Sequence, residues 1–226
     1  MSSTGRNKPG NERRADDFYQ TPSWCVHRLL DYLELFERRK GRPIRLIEPF
    51  AGDGAIIRAV KSYPGQQPTE IYLNELRESH RQMLSALQPT RLVFGDFRDP
   101  ALARTLDELR WLGTNIIITN PPYSLAMEAA QWCRRNADRS FLLLRLSWAG
   151  TARRHAFMRA NKPNMYIIPE RPSFTGGGTD STDYAWFELA GEGSHHATTG
   201  QNAWLDRTPG AERKRCNEEI RNDCNQ

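Results

Sequence analysis

Asn115-Ile116-Ile117-Ile118-Thr119-Asn120-Pro121-Pro122-Tyr123 is the stretch on which the reading of this chain turns. Its opening run is apolar and β-branched, as a strand buried on both faces of a parallel sheet reads. The Pro-Pro step fixes the backbone and stops the strand in a rigid, extended turn. That turn presents one amide, Asn120, and one ring, Tyr123, at the strand's carboxyl end, where open α/β sheets bind ligands. An amide oxygen beside prolyl carbonyls gives several uncharged hydrogen-bond acceptors, and a ring just beyond them can stack on a flat group. Such a set suits the exocyclic amine of an adenine attacking an electrophile. The plainer reading is a helix-leading turn after a core strand.

Working outward, Arg45-Leu46-Ile47 reads as a second short strand and leads into Glu48-Pro49-Phe50-Ala51-Gly52-Asp53-Gly54. Gly52 and Gly54 allow backbone dihedrals closed to other residues and a close approach to a ligand. The Gly-x-Gly-x-x-Gly spacing that cradles a pyrophosphate is absent. A tight turn with carboxylates nearby suits a cationic cofactor bearing an amino acid better than a diphosphate. Glu48 and Asp53 are candidates for its amine end, and Phe50 and Ala51 belong to the same turn. An ordinary strand-to-helix turn is the competing interpretation.

Strands and helices alternate on either side of these motifs. Strands are expected near Arg45–Ile47, Ile71–Leu73, Leu92–Phe94, Ile116–Ile118, Phe141–Leu144, Met165–Ile168 and Tyr184–Leu189. Repeated β–α alternation predicts a doubly wound, mostly parallel seven-stranded α/β sheet. The last two strands are joined by the glycine-rich stretch Ser173–Asp183. Thr21-Pro22-Ser23 reads as a helix start, with Thr21 as N-cap and Pro22 at the first helical position. Its apolar stripe runs through Leu29, Leu30, Leu33 and Phe36. Residues 1–15 read as a mobile tail and 16–190 as the catalytic domain. Residues 191–226 read as a polar tail with a short helix near Ala211–Ile220.

The motifs, in this order, resemble those of the amino-methyltransferases that modify adenine N6 in DNA, small phage-type enzymes especially. Phe18-Tyr19-Gln20-Thr21-Pro22 looks like that family's N-terminal cofactor motif. Glu48 to Gly54 looks like its glycine motif, and Asn120 to Tyr123 matches its catalytic tetrapeptide. The resemblance implies a sheet of the class I methyltransferase type with an antiparallel edge hairpin, and S-adenosylmethionine as cofactor. It also implies Asn120, Pro121, Pro122 and Tyr123 as catalytic residues, with Tyr19, Thr21 and Pro22 among the cofactor contacts.

Two further strand ends then acquire roles. Asn74-Glu75 follows the second strand about twenty residues after Gly54, the spacing at which a carboxylate accepts from ribose hydroxyls. Asp96 follows the third strand and would reach the cofactor's adenine amine, with Phe97 beside the ring. Thr21 and the unpaired N–H groups of its helix offer a place for the cofactor's carboxylate.

Larger relatives place a recognition domain between the positions of Asp96 and Asn120; here the interval is too short. Target contacts must therefore come from loops within about 147–183. Arg153, Arg154, Arg159 and Lys162 lie in a cationic connection suited to a phosphate backbone. Phe174 and Trp186 resemble the family's late motif lining a base pocket. The net charge of +5 and pI near 9.2 favour a polyanionic partner, and the resemblance implies that this partner is duplex DNA with a flipped adenine. The same tetrapeptide chemistry also serves RNA adenine or protein glutamine, and a non-catalytic nucleic-acid-binding subunit could keep the fold.

Mean hydropathy of −0.72 and the lack of a long apolar run predict a cytoplasmic protein that spans no membrane. Cys25, Cys133, Cys216 and Cys224 lack metal-ligand spacing, so no metal is expected and the thiols read as reduced.

Overall fold

A computed structural model describes residues 20–36, 42–109 and 112–224. Eight strands form one sheet: β1 (Ile44–Glu48), β2 (Glu70–Glu75), β3 (Arg91–Phe94), β4 (Thr114–Thr119), β5 (Arg139–Arg145), β6 (Asn164–Ile167), β7 (Tyr184–Ala190) and β8 (Asn202–Trp204). Their order is β3-β2-β1-β4-β5-β7-β6-β8. The pairs β1–β2, β1–β4, β2–β3 and β4–β5 are parallel. The strand β7 runs antiparallel to both β5 and β6. The result is an α/β architecture with a mostly parallel sheet and an antiparallel edge hairpin.

Among the described residues seven α-helices accompany the sheet: α1 (Ser23–Tyr32), α2 (Ala55–Ser62), α3 (Arg81–Ala86), α4 (Pro100–Leu109), α5 (Ala126–Asn136), α6 (His155–Asn161) and α7 (Gly210–Cys224). Alternation along β1 and β4 divides the core between the sheet's two faces. Leu46, Ile116 and Ile118 pack with Leu29 of α1, Ile57 of α2 and Leu84 of α3. Ile47 and Ile117 pack on the other face with Leu106 of α4 and Ala129 and Cys133 of α5. All five residues of β1 are buried, as the two-faced burial of a central parallel strand requires. A fully buried side chain such as Leu46 or Phe141 stabilises the fold by about 2 kcal/mol.

Three expectations are corrected. The sheet has an eighth strand, because Asn202–Trp204 pairs in parallel with β6. The segment after 190 is therefore more than a polar tail: it supplies β8, the buried Leu205 and the 15-residue α7. That helix is polar except for a small face, where Cys216 and Ile220 are buried at i, i+4 spacing. Finally, α1 has Pro22 rather than Thr21 at its N-cap and no side-chain cap; it stops at Tyr32, before Leu33 and Phe36. The mobile tail of residues 1–15 and the expected contact Tyr19 lie outside the described residues. Among the described residues no helix is long and apolar enough to cross a membrane.

Candidate active site

The carboxyl ends of β1, β2 and β3 are stitched together by the turn that the sequence singled out. Gly52 and Gly54 have φ of 55° and 83°, the left-handed region that glycine enters without steric cost. The Ala51 N–H donates to the Asn74 carbonyl at 3.0 Å, and the Gly52 N–H donates to Glu75 Oε2 at 2.7 Å. Asn74 Nδ2 donates to the carbonyls of Pro49 (3.2 Å) and Gly95 (3.1 Å). Three strand ends thus hold one another at the rim of a shared cleft.

Most of the expected cofactor residues meet there. Glu48, Phe50, Ala51, Gly52 and Asp53 line the cleft from β1; Asn74 and Glu75 line it from β2; Asp96 and Phe97 line it from β3. Thr21, Asn120 and Pro122 close it from the opposite side. Leu76, Arg77, Arg98 and Leu125 also line it, and the sequence reading missed them. An apolar residue directly after a strand-end acid, as in Glu75-Leu76, was the available signal. Pro22, Gly54, Pro121 and Tyr123 adjoin the cleft in sequence without lining it.

The carboxylates are engaged differently. Glu75 accepts from Gly52 N–H through one oxygen and from Arg77 N–H (3.0 Å) through the other. Asp53 accepts from Ala55 N–H (3.0 Å) and from Arg58 Nη2 (2.6 Å), which ties it to the start of α2. Asp96 is gripped by Arg98, whose Nε and Nη2 donate to its two oxygens at 2.9 and 2.5 Å. Those bonds hold the Asp96 carboxyl below the usual carboxylate range.

Glu48 stands apart. It is 1% exposed, and its Oε1 accepts from the Thr119 hydroxyl at 2.8 Å. Its Oε2 has no hydrogen-bond partner among the described residues, and neither does the buried Asn74 Oδ1. Burial pushes the Glu48 carboxyl well above its ordinary range, against the Thr119 bond, and the charges of Asp53 and Glu75 push the same way. Two buried acceptors lacking donors, beside a close-approach glycine turn, fit a cationic ligand rich in N–H and O–H groups.

Across the cleft, Asn120 Nδ2 donates to Thr21 Oγ1 at 3.1 Å. Tyr123 turns into a ring cluster instead of the cleft. Its hydroxyl donates to Tyr184 Oη at 3.3 Å, which in turn donates to Asp180 Oδ2 at 2.8 Å. The Arg145 guanidinium lies 4.9 Å from the Tyr123 ring centre. Burial pushes the Tyr123 phenol far above its ordinary value, with Tyr184 adding to the shift, so it stays protonated.

The expected target-contacting residues fare less evenly. Phe174 is buried against Tyr184, with ring centres 5.1 Å apart, one ring removed from Tyr123. Trp186 is wholly buried and its Nε1 donates to the Cys25 carbonyl at 3.0 Å, so it belongs to the core and lines no base pocket. On β7 its side faces the helices α1 and α2, a placement that alternation alone does not reveal when both faces of a strand are buried. Arg153, Arg159 and Lys162 are exposed around α6, away from the cleft lining. Arg154 stacks over Trp148 and donates to its carbonyl at 3.2 Å. Among the described residues no group of His, Cys, Asp and Glu is placed to hold a metal ion.

No protein-family model and no curated protein matches the chain. Solved structures do. A class I S-adenosylmethionine-dependent methyltransferase assignment from Listeria monocytogenes aligns with a TM-score of 0.55 at 13% identity, over 90% of this chain and 72% of that one. The 23S rRNA methyltransferase ErmE aligns with 0.51 at 14% identity, over 78% and 71%. The methyltransferase subunit of a type I restriction-modification system from Streptococcus thermophilus aligns with 0.51 at 17% identity, over 92% and 53%. The chain has the class I methyltransferase fold.

Proposed function

We propose that this protein is an S-adenosylmethionine-dependent methyltransferase acting on N6 of an adenine flipped out of duplex DNA. The observation that carries this reading is the shared cleft. Asn120 and Pro122 of the tetrapeptide face the Glu48–Asp53 turn across it. Acceptors for an amine nucleophile thereby stand opposite a place for a methyl donor.

The cofactor would supply an electrophilic methyl group carried on a sulfonium. Glu48 and Asn74 would meet its N–H and O–H groups with their unpartnered oxygens. Glu75 and Asp96 would turn to it from their present backbone and Arg98 contacts, and Phe50 and Phe97, in mutual contact with ring centres 4.7 Å apart, would together offer an apolar wall to its flat base. Asn120 Oδ1 and the Pro121 carbonyl would accept the two hydrogens of the target amine, drawing its nitrogen lone pair out of conjugation with the ring. The nitrogen would bond to the methyl carbon as the methyl–sulfur bond breaks, the donor leaving as a neutral thioether, and would then give up one proton to solvent. Tyr123 would stack on the extruded base and return part of the few kcal/mol that unstacking costs. Exposed Arg153, Arg159 and Lys162 would follow the phosphate backbone.

The DNA preference rests on the net basic charge and on the resemblance of Asn120–Tyr123 and Glu48–Gly54 to DNA adenine enzymes. The test is incubation of the protein with radiolabelled S-adenosylmethionine and, separately, unmodified duplex DNA, single-stranded DNA, total RNA and a protein extract. Label in DNA supports the reading. Label confined to RNA or protein transfers the chemistry to another amine, and label in none removes the enzyme reading.

A further inference from the structure

Helix α7, taken at first for part of a polar tail, touches two segments that each hold one member of the tetrapeptide. Gln20 Nε2 donates to Asp223 Oδ2 at 2.9 Å, and Ser23 Oγ lies 3.1 Å from Cys216 Sγ. Arg28 and Glu212 form an ion pair at 3.3 Å. These contacts bracket Thr21, which is 4% exposed and takes the hydrogen bond from Asn120.

The other contact is with the glycine-rich loop. Arg221 Nε donates to the Gly176 carbonyl at 2.7 Å. Gly176 has φ of 70°, and a Cβ there would lie 2.5 Å from the Asn217 carbonyl oxygen and 2.8 Å from Arg221 N. The loop backbone is therefore seated directly on the helix, in a conformation that requires glycine. Farther along the loop, the Asp180 N–H donates to the Pro172 carbonyl at 2.8 Å, and Asp180 takes the Tyr184 hydroxyl that holds Tyr123. Only Gly177, Gly178 and Thr179 remain exposed between the two anchors. The freely exposed part of the loop is thus its tip alone.

We infer that α7 is a positioning element of the active site, with Arg221 setting the glycine-rich loop, and through Asp180 and Tyr184 the ring of Tyr123, while Asp223 and Cys216 set the Thr21 segment beneath Asn120. The inference rests on the methyltransferase reading for its consequence and on the α7 contacts for its geometry. Misplacing a reacting group by about 1 Å can lower turnover about a hundredfold. Arg221 touches neither reactant; it acts through the loop.

The experiment compares the unaltered protein with Arg221→Ala, Arg221→Lys, Gly176→Ala and the exposed α7 control Lys214→Ala. One readout is methyl transfer to unmodified duplex DNA, resolved into kcat and KM for S-adenosylmethionine. The other is amide hydrogen exchange over residues 120–126 and 173–183, which needs no substrate. Arg221→Ala and Gly176→Ala are expected to lower kcat about tenfold, with KM for S-adenosylmethionine held within about twofold. Faster exchange is expected in both segments, Arg221→Lys is expected to recover part of the rate, and Lys214→Ala to match the unaltered protein. A folded Arg221→Ala protein with normal kcat or with unchanged exchange in both segments overturns the inference. If the unaltered protein labels no DNA, the function proposed above fails, and the exchange comparison still decides whether α7 holds the loop and Tyr123.

Discussion

Asn120 Nδ2 lies 3.1 Å from Thr21 Oγ1, joining residues far apart in the chain across the mouth of one cleft. The bond orients the amide whose oxygen is proposed to accept from the target amine. Thr21→Val should lower kcat about tenfold while thermal stability shifts little, and Thr21→Ser should restore most of the rate. Steady-state kinetics of the three proteins checks this; equal kcat for Val and Thr at position 21 would separate Thr21 from the chemistry.

Glu48 makes stability depend on pH in an unusual direction. Its folded carboxyl binds a proton more tightly than the unfolded one, so rising pH takes that proton from the unfolded chain first. Above the ordinary carboxylate value near 4.5, its contribution to stability is progressively lost, by up to about 1.4 kcal/mol per pH unit until the folded group ionises. Glu48→Gln should flatten this decline in urea unfolding between acid and neutral pH. The same substitution should weaken S-adenosylmethionine binding, since an amide oxygen attracts a cation less than a carboxylate does.

Glu188 behaves in the opposite way. It is 1% exposed on β7, and burial alone would raise it. His196 at 2.8 Å, Arg139 at 2.6 Å, the Tyr166 hydroxyl at 2.6 Å and Asn164 at 2.9 Å outweigh burial and hold it at about 2. Stability from this cluster is full above the ordinary value of 4.5 and is lost as pH falls toward 2. Glu188→Ala should cost about 3 kcal/mol at neutral pH, because it leaves the surrounding donors without their acceptor. Denaturant titrations at neutral pH and at pH 3 measure both effects; a Glu188→Ala protein as stable as the parent at neutral pH would contradict this account.

Tyr123 and Asp96 should separate target from cofactor. Tyr123→Ala removes a ring whose stacking is worth about 1–3 kcal/mol, and should lower transfer at least about tenfold with cofactor affinity nearly unchanged. Asp96→Ala should mainly raise the dissociation constant for S-adenosylmethionine. Calorimetric titration with the cofactor, run beside turnover, distinguishes the two.

The parallel half of the sheet was legible because each of its strands is short, apolar and punctuated. Ile116–Ile118 stops at Pro121, and Leu46–Ile47 stops at Gly52, so period and breaker agree. The cleft residues at those strand ends followed from topology, since open α/β sheets gather ligands there. The misses share one cause: long-range packing leaves little periodic trace. Asn202–Trp204 is too short and polar to read as a strand until β6 is beside it. Helix α7 shows only Cys216 and Ile220 to the core. Trp186 looked like a pocket aromatic because β7 is buried on both faces, and the charged residue on its own side, Glu188, is buried as well and marks no solvent face. Asp53 lines the cleft as expected, and Arg58, one turn along α2, pairs with it there.

The most direct measurement is the base composition of duplex DNA after incubation with S-adenosylmethionine and either the unaltered protein or Asn120→Ala, read by mass spectrometry of the released nucleosides. The account predicts N6-methyladenine with the unaltered protein and a loss of about a hundredfold or more with Asn120→Ala, the scale seen when an acceptor or donor acting in the transition state is removed. Equal amounts of N6-methyladenine from both proteins, or none from the unaltered one, would contradict it.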